Sequence, residues 1–228
     1  MAVTTQVPTT LADWYHQHDY GAVQDRLATV RDVTLDGEIE QAAENIRRAY
    51  HFAVLSIRTV KDIHEHAFDL WMDGTALEDA VRIAGVNFYR NKVGWIRQTE
   101  ESVHWKGLVR SVREHVARDE LGSLMDLNER LSGVHYAKWG FTLALSGVWE
   151  VICIDSNVKN HYGIDGRLDL RSNDGIDTYR EMIDRVVRDV PGDVPPFVAQ
   201  WVVYDYQRGE HATHDPYFES AYPFAEGV

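Results

Sequence analysis

The chain has a single cysteine, Cys153, among its 228 residues. One thiol excludes a disulfide framework, a cysteine-built zinc site and an iron–sulfur cluster held by this chain alone. No apolar run approaches the roughly 20 residues that a membrane span needs. The first residues carry no signal-peptide pattern, so a soluble, cytoplasmic protein is expected. Strand signals are scarce. No Asn-Gly or Asp-Gly turn stands between alternating runs, and no internal repeat or low-complexity tract is present. Positive charge is short too: 23 bases face 36 acids, a formal net charge of −13. Only five of those bases are lysines, and 21 of the acids are aspartates. An Asp-rich, Lys-poor chain is expected of a salt-rich, halophilic cell interior, with an ordinary acidic surface as the alternative. At first sight this charge argues against a nucleic-acid partner, because polyanions repel.

What the sequence does have is helical periodicity, nearly throughout. Helices are predicted over 11–30, 38–56, 61–72, a short stretch to 84, 88–99, 102–118, 121–131, 136–147, 156–162, 175–189 and 195–207. Thr75 and Glu78 form a capping-box pattern before the short one. The run Val-Ile-Cys-Ile at 151–154 is β-branched and reads as extended. The first ten and last ten residues read as loosely docked. The fold class is all-α.

The most informative stretch is Leu131-Ser-Gly-Val-His-Tyr-Ala-Lys138, then an apolar helix, then Val151-Ile-Cys-Ile-Asp155 opening another helix. A helix, a tight turn and a second helix make a phosphate-binding device. Backbone N–H groups at the turn and at the helix start bind an anion without any net positive charge. Lys138 and Asp155, flanking the second helix, can then converge in one cleft.

This stretch resembles the helix-hairpin-helix DNA glycosylase superfamily, whose pattern is Leu-Pro-Gly-Val-Gly-x-Lys, a helix, and an apolar run ending in the catalytic Asp. Leu131, Gly133, Val134, Lys138 and Asp155 fit it. Upstream, Val54-Leu-Ser-Ile-Arg-Thr59 is similar to the family's Leu-Ser-x-Gln-Thr segment. Gly85-Val-Asn-Phe-Tyr-Arg-Asn-Lys-Val-Gly-Trp-Ile96 is similar to its Gly-Phe-Tyr-x-x-Lys-Ala-x-x-Ile segment. The three pieces keep the family's order and cover roughly residues 38–162. The resemblance implies a two-lobed, all-α fold: a helical barrel over 37–146 carrying the hairpin, and a second lobe of 1–36 plus 147–228 carrying the catalytic Asp. It implies a monomer acting on double-stranded DNA, without a cofactor and in the cluster-free branch. The activity implied is removal of a modified or mispaired base by base flipping, with Schiff-base lyase chemistry if Lys138 fills the lysine position.

Two departures bear on that chemistry. His135 replaces the second hairpin glycine, which limits the turn's access to positive φ. Aligned without gaps, the lysine position falls on Ala137, one residue before Lys138, and both alignments stay open. Asp155 would stabilise the positive charge that builds on the sugar, and its place at a helix start also suits an N-cap. The resemblance puts Arg58 where the family's strand-intercalating glutamine lies. Gly133 and His135 would meet phosphate, Tyr136 and Trp139 would stack on bases, and Arg90 and Lys92 would serve the duplex. Aromatics at these spacings are also ordinary core residues. Residues 82–113 carry a local charge of +5 while 155–228 carry −7, so the excess acid lies outside the basic stretch. His211, His214 and Asp215 offer donors without a third ligand set at recognised spacing, and no metal is expected. Two alternatives remain: a glycosylase-fold enzyme acting on hypermodified bases, similar to glycosylase-like proteins of viruses, and a non-catalytic hairpin protein that binds DNA. Fold resemblance alone does not separate them.

Overall fold

A computed structural model of the chain describes residues 10–164 and 168–209. Among these there are twelve α-helices and no strand, in agreement with the all-α expectation. No helix among the described residues is long and apolar enough to cross a membrane. The predicted looseness of the two ends lies outside the described residues, except at Thr10.

The predicted helix over 11–30 is broken in two, α1 (Leu11–Gln17) and α2 (Gly21–Arg31). Tyr20 turns inward at the break. It accepts from Trp14 Nε1 (2.9 Å) and donates to Asp205 (3.0 Å), a fully buried carboxylate on the last helix. A π-helical turn (Asp32–Asp36) ends at Gly37, and α3 (Ile39–Leu55) follows. Its spacing of Ala42, Ala43, Ile46, Ala49, Tyr50 and Ala53 predicted one apolar face. Towards its end every residue from Tyr50 to Leu55 is buried, because α3 is packed on several sides. It touches α4 (Lys61–Met72), α6 (Tyr89–Ser102), α7 (Trp105–Ala117) and α9 (Tyr136–Leu145).

Between α4 and α6 lies α5 (Leu77–Ile83). Its N-cap is Ala76 and no side chain caps it, so the Thr75–Glu78 box is not used. The short α8 (Leu121–Asp126) tightens into a 3-10 turn that leads to the hairpin. Residues 151–155 are non-helical and lead into α10 (Ser156–Tyr162). Ser172 caps α11 (Asn173–Asp189), accepting from Gly175 N–H (3.0 Å), which starts the helix two residues before the predicted position. Pro195 and Pro196 open α12 (Pro196–Arg208), with proline at the position where a missing N–H costs nothing. α12 packs against α1, α10 and α11. The buried residues form one continuous apolar cluster.

The Trp14–Tyr20–Asp205 chain ties the start of the described chain to its last helix. Replacing Tyr20→Phe removes one acceptor and one donor from a buried network. The expected loss is about 1–3 kcal/mol, read as a lower urea midpoint with an unchanged slope.

Candidate active site

The hairpin is set by sterics before chemistry. Gly133 has φ +77°, and a Cβ there would sit 2.4–2.7 Å from the Trp95 ring, so only glycine fits. The backbone of Ser132 is held at both ends: its N–H donates to Thr99 Oγ1 (2.9 Å), and its carbonyl accepts from Tyr50 Oη (2.9 Å). Among the described residues, the N–H groups of Gly133, Val134 and His135 donate to no protein acceptor. His135 has φ −110°, so its place in the turn needs no glycine. Its side chain is exposed and makes no cap bond with α9.

Two residues further on, Ala137 and Lys138 line different spaces on the two sides of α9. Ala137 lies with His135, Tyr136, Ile154, Lys159, Leu168 and Leu170 on one side of α9. Lys138 faces the other way, into a cleft of about 430 Å³ that it shares with Asp155. Lys138 and Asp155 therefore line one space, and Ala137 does not.

Gly140 sets how closely their two backbones approach. A Cβ on it would lie 2.4 Å from the Ile152 carbonyl oxygen. The buried Tyr179 hydroxyl grips the same residue, donating to its carbonyl (2.7 Å) and accepting from its N–H (3.0 Å). Gln200 Oε1 accepts from Cys153 N–H (3.3 Å). Residues 151–155 are thus fixed against α9, α11 and α12 without a strand partner. At their end Asp155 caps α10, one carboxylate oxygen accepting from the N–H groups of Asn157 (2.8 Å) and Val158 (3.0 Å). The other oxygen has only a long contact with Asn157 Nδ2 (3.4 Å). The cap orients the carboxylate and leaves acceptor capacity on the cleft side.

The Lys138 amine donates to Ser56 Oγ (2.8 Å) and lies 4.7 Å from the centre of the Phe141 ring. Ser56 spends its own proton on the Ala53 carbonyl (2.8 Å), so it serves the amine as an acceptor only. Burial pushes the Lys138 amine below the ordinary lysine range, against the opposing pull of Cys153 and Asp155. Burial likewise pushes the Cys153 thiol up to about 12, so it stays protonated. His64 is pushed down to about 4, chiefly by burial, with the Lys138 and Lys92 charges adding to it. Its Nδ1–H donates to the Val60 carbonyl (3.0 Å).

The opposite wall comes from α12. Phe197, Gln200, Trp201, Tyr204 and Arg208 fall at spacings of three and four and face the cleft as one stripe. Phe197 stacks obliquely on Trp201 (4.6 Å) and approaches Phe141 (6.3 Å). This wall was missed in the sequence, although the stripe itself is visible there. His64, four residues before Phe68 on a buried face, was missed as well.

Several expected contact residues stand elsewhere. Trp139 is fully buried and donates to the Leu124 carbonyl (2.8 Å), so it is core and stacks on no base. Lys92 is also fully buried: its amine donates to the Leu55 carbonyl (2.7 Å) and to Thr59 Oγ1 (2.6 Å) and presents nothing to a duplex. Tyr136 lies across α9 from the Lys138 cleft, its hydroxyl 3.4 Å from Asp126. Arg58 lines the cleft and is exposed, with a left-handed backbone (φ 51°). Its guanidinium stands 6.0 Å from the ring of Phe88, which is 60% exposed and also left-handed (φ 55°). Two strained residues side by side, one an exposed aromatic, are a second feature the sequence reading missed. Arg90 is exposed on the first turn of α6, its guanidinium beside the Tyr89 ring.

His211, His214 and Asp215 lie outside the described residues. Among the described residues, no group of three or more His, Cys, Asp or Glu side chains could hold a metal ion. No protein-family model, curated protein or solved structure matches the chain.

The depressed His64 has a consequence for stability. Between about pH 6.5 and 4 the unfolded chain takes up a proton on this residue that the folded chain refuses. Stability is therefore lost as pH falls through that window. His64→Gln is expected to flatten this part of the stability profile relative to wild type, measured by urea unfolding at successive pH values.

Proposed function

We propose that the chain is a helix-hairpin-helix DNA glycosylase that removes a modified or mispaired base from duplex DNA, with Schiff-base chemistry at Lys138. The observation that carries this reading is the convergence of Lys138 and Asp155 in one aromatic-walled cleft beside the hairpin. On this reading the helices packed on α3 would make up the lobe 37–146 and those packed on α12 the remainder, and the cleft takes residues from both ranges.

The hairpin supplies N–H groups to a backbone phosphate. Arg58 and Phe88 stand beside the cleft, where a planar pair can fill the gap left by an extruded nucleotide. The extruded base enters between Phe141 and the α12 stripe. As the glycosidic bond lengthens, positive charge grows on the sugar and the Asp155 carboxylate stabilises it. The base departs with the bonding electron pair and takes up a proton. The neutral Lys138 amine forms a bond to C1′, loses a proton, and gives an imine as the sugar ring opens. Loss of a C2′ proton then forms the C2′–C3′ double bond and expels the 3′ phosphate with the C3′–O bonding pair, and water hydrolyses the imine to release Lys138.

The test is base release and strand nicking on a panel of damaged and modified duplexes, in molar KCl. Asp155→Asn is expected to lower base release by about 10²–10³-fold or more. Lys138→Ala is expected to abolish strand cleavage while base release persists. Unchanged base release in Asp155→Asn contradicts the mechanism. Duplex binding with no base released from any substrate favours a binding protein.

A further inference from the structure

Lys92 is a buried amine that the chemistry above does not use, and its surroundings tie it to one that is used. Both lysines end at the carboxyl end of α3. Lys92 takes the Leu55 carbonyl and Thr59 Oγ1; Lys138, between them in sequence register, takes Ser56 Oγ. The partners are unequal. A main-chain carbonyl at the negative end of a 17-residue helix is a strong acceptor for an ammonium ion. Thr59 donates its own proton to the Ile57 carbonyl (3.2 Å), so its oxygen too is fixed as an acceptor towards Lys92. Lys138 has one hydroxyl oxygen and the face of Phe141. Of two amines in one buried region, the better-solvated one holds the proton, and its charge then opposes a second protonation nearby.

We propose that Lys92 is a positioning residue for Lys138: a buried, protonated second amine whose charge keeps the Lys138 amine free as a nucleophile. Ser56 completes the arrangement. Because its proton is committed to Ala53, it accepts one N–H from Lys138 and leaves the nitrogen lone pair open to the cleft. The groups facing Lys138 are His64 from α4, Cys153 and Asp155 from 151–155, and Lys92 from α6. Arg58, Lys61 and Arg208 also line the cleft. His64 and Cys153 stay neutral near pH 7, which leaves Asp155 favouring the charged amine and Lys92 opposing it. Burial, with a second amine nearby, lowers Lys92 to about 8, so the effect fades as pH rises past that value.

This inference rests on Lys138 being the nucleophile, but its test needs no DNA. The full chain is labelled competitively with acetic anhydride from pH 6 to 11, and each lysine's midpoint is read by peptide mass spectrometry. In the wild type Lys138 is expected to titrate below Lys61 and Lys106. Lys92→Gln keeps N–H donors for Leu55 and Thr59 and removes the charge. It is expected to raise the Lys138 midpoint by about one pH unit while those two lysines stay put. Lys92→Arg, which restores the charge, is expected to return the midpoint towards wild type. An unmoved Lys138 midpoint in Lys92→Gln overturns the proposal. So does an Arg variant displaced as far as the Gln variant, or a wild-type Lys138 that titrates with Lys61 and Lys106. Failure of base release or strand cleavage on DNA, with the labelling shift intact, overturns the glycosylase reading instead.

Discussion

The approach of α9 to residues 151–155 is the contact on which the site depends. It requires that residue 140 have no side chain, since a Cβ would press to 2.4 Å on the Ile152 carbonyl oxygen. The same carbonyl accepts from the Tyr179 hydroxyl, and the Ile152 N–H donates back to it. One residue's backbone is thereby held by a helix face on one side and a buried phenol on the other. Lys138 stands two residues before Gly140, and Asp155 three residues after Ile152. Their shared cleft is a consequence of that backbone contact more than of any direct attraction between them. A buried polar segment of this kind is tolerated because its amide groups find partners, here Tyr179 and Gln200.

A second constraint acts on charge. The carboxyl end of α3 is buried, yet two amines reach it. Burial disfavours the charged form of each, and proximity disfavours charging both. Strong acceptors at Leu55 and Thr59 decide which amine keeps its proton. On the proposed reading the outcome is a free amine that shares a cleft with aromatic walls with the Asp155 carboxylate. In the proposed glycosylase it would serve attack on a sugar carbon; for fold stability a buried lysine contributes little to packing that methionine would not. The net charge of −13 carries little information about the ligand. The polar groups that would meet phosphate are hairpin N–H groups and a few exposed arginines, and neither depends on the total.

The parts of the site that were legible in the sequence follow local rules. Gly133 marks a left-handed turn, Asp155 followed by a helix marks a cap, and Lys138 lies within the first turn after the hairpin. The all-α class followed from periodicity alone. The break at His18–Tyr20 was not legible, because Tyr20 is drawn inward by Asp205, 185 residues away. The basic segment around Lys92 suggests a duplex contact. Its spacing with Ile96 and Thr99, both buried, places it on the inner face of α6, and that was the signal available. Trp139 shares a buried face with Leu143 in the same way. Phe88 carried no local mark, since its left-handed backbone occurs without glycine. Whether Lys138 or Ala137 faces Asp155 could not be read from a gapped pattern, because one residue along a helix turns the side chain by about 100°.

The central claim is that Lys138, among the five lysines, is the amine presented to a reacting sugar. It is tested most directly by incubating the full chain with a duplex bearing one abasic site, reducing with borohydride, and mapping the cross-linked peptide by mass spectrometry. The account predicts a single adduct at Lys138. An adduct on Lys61 or Lys92, or no adduct from a protein that binds the same duplex, would contradict it.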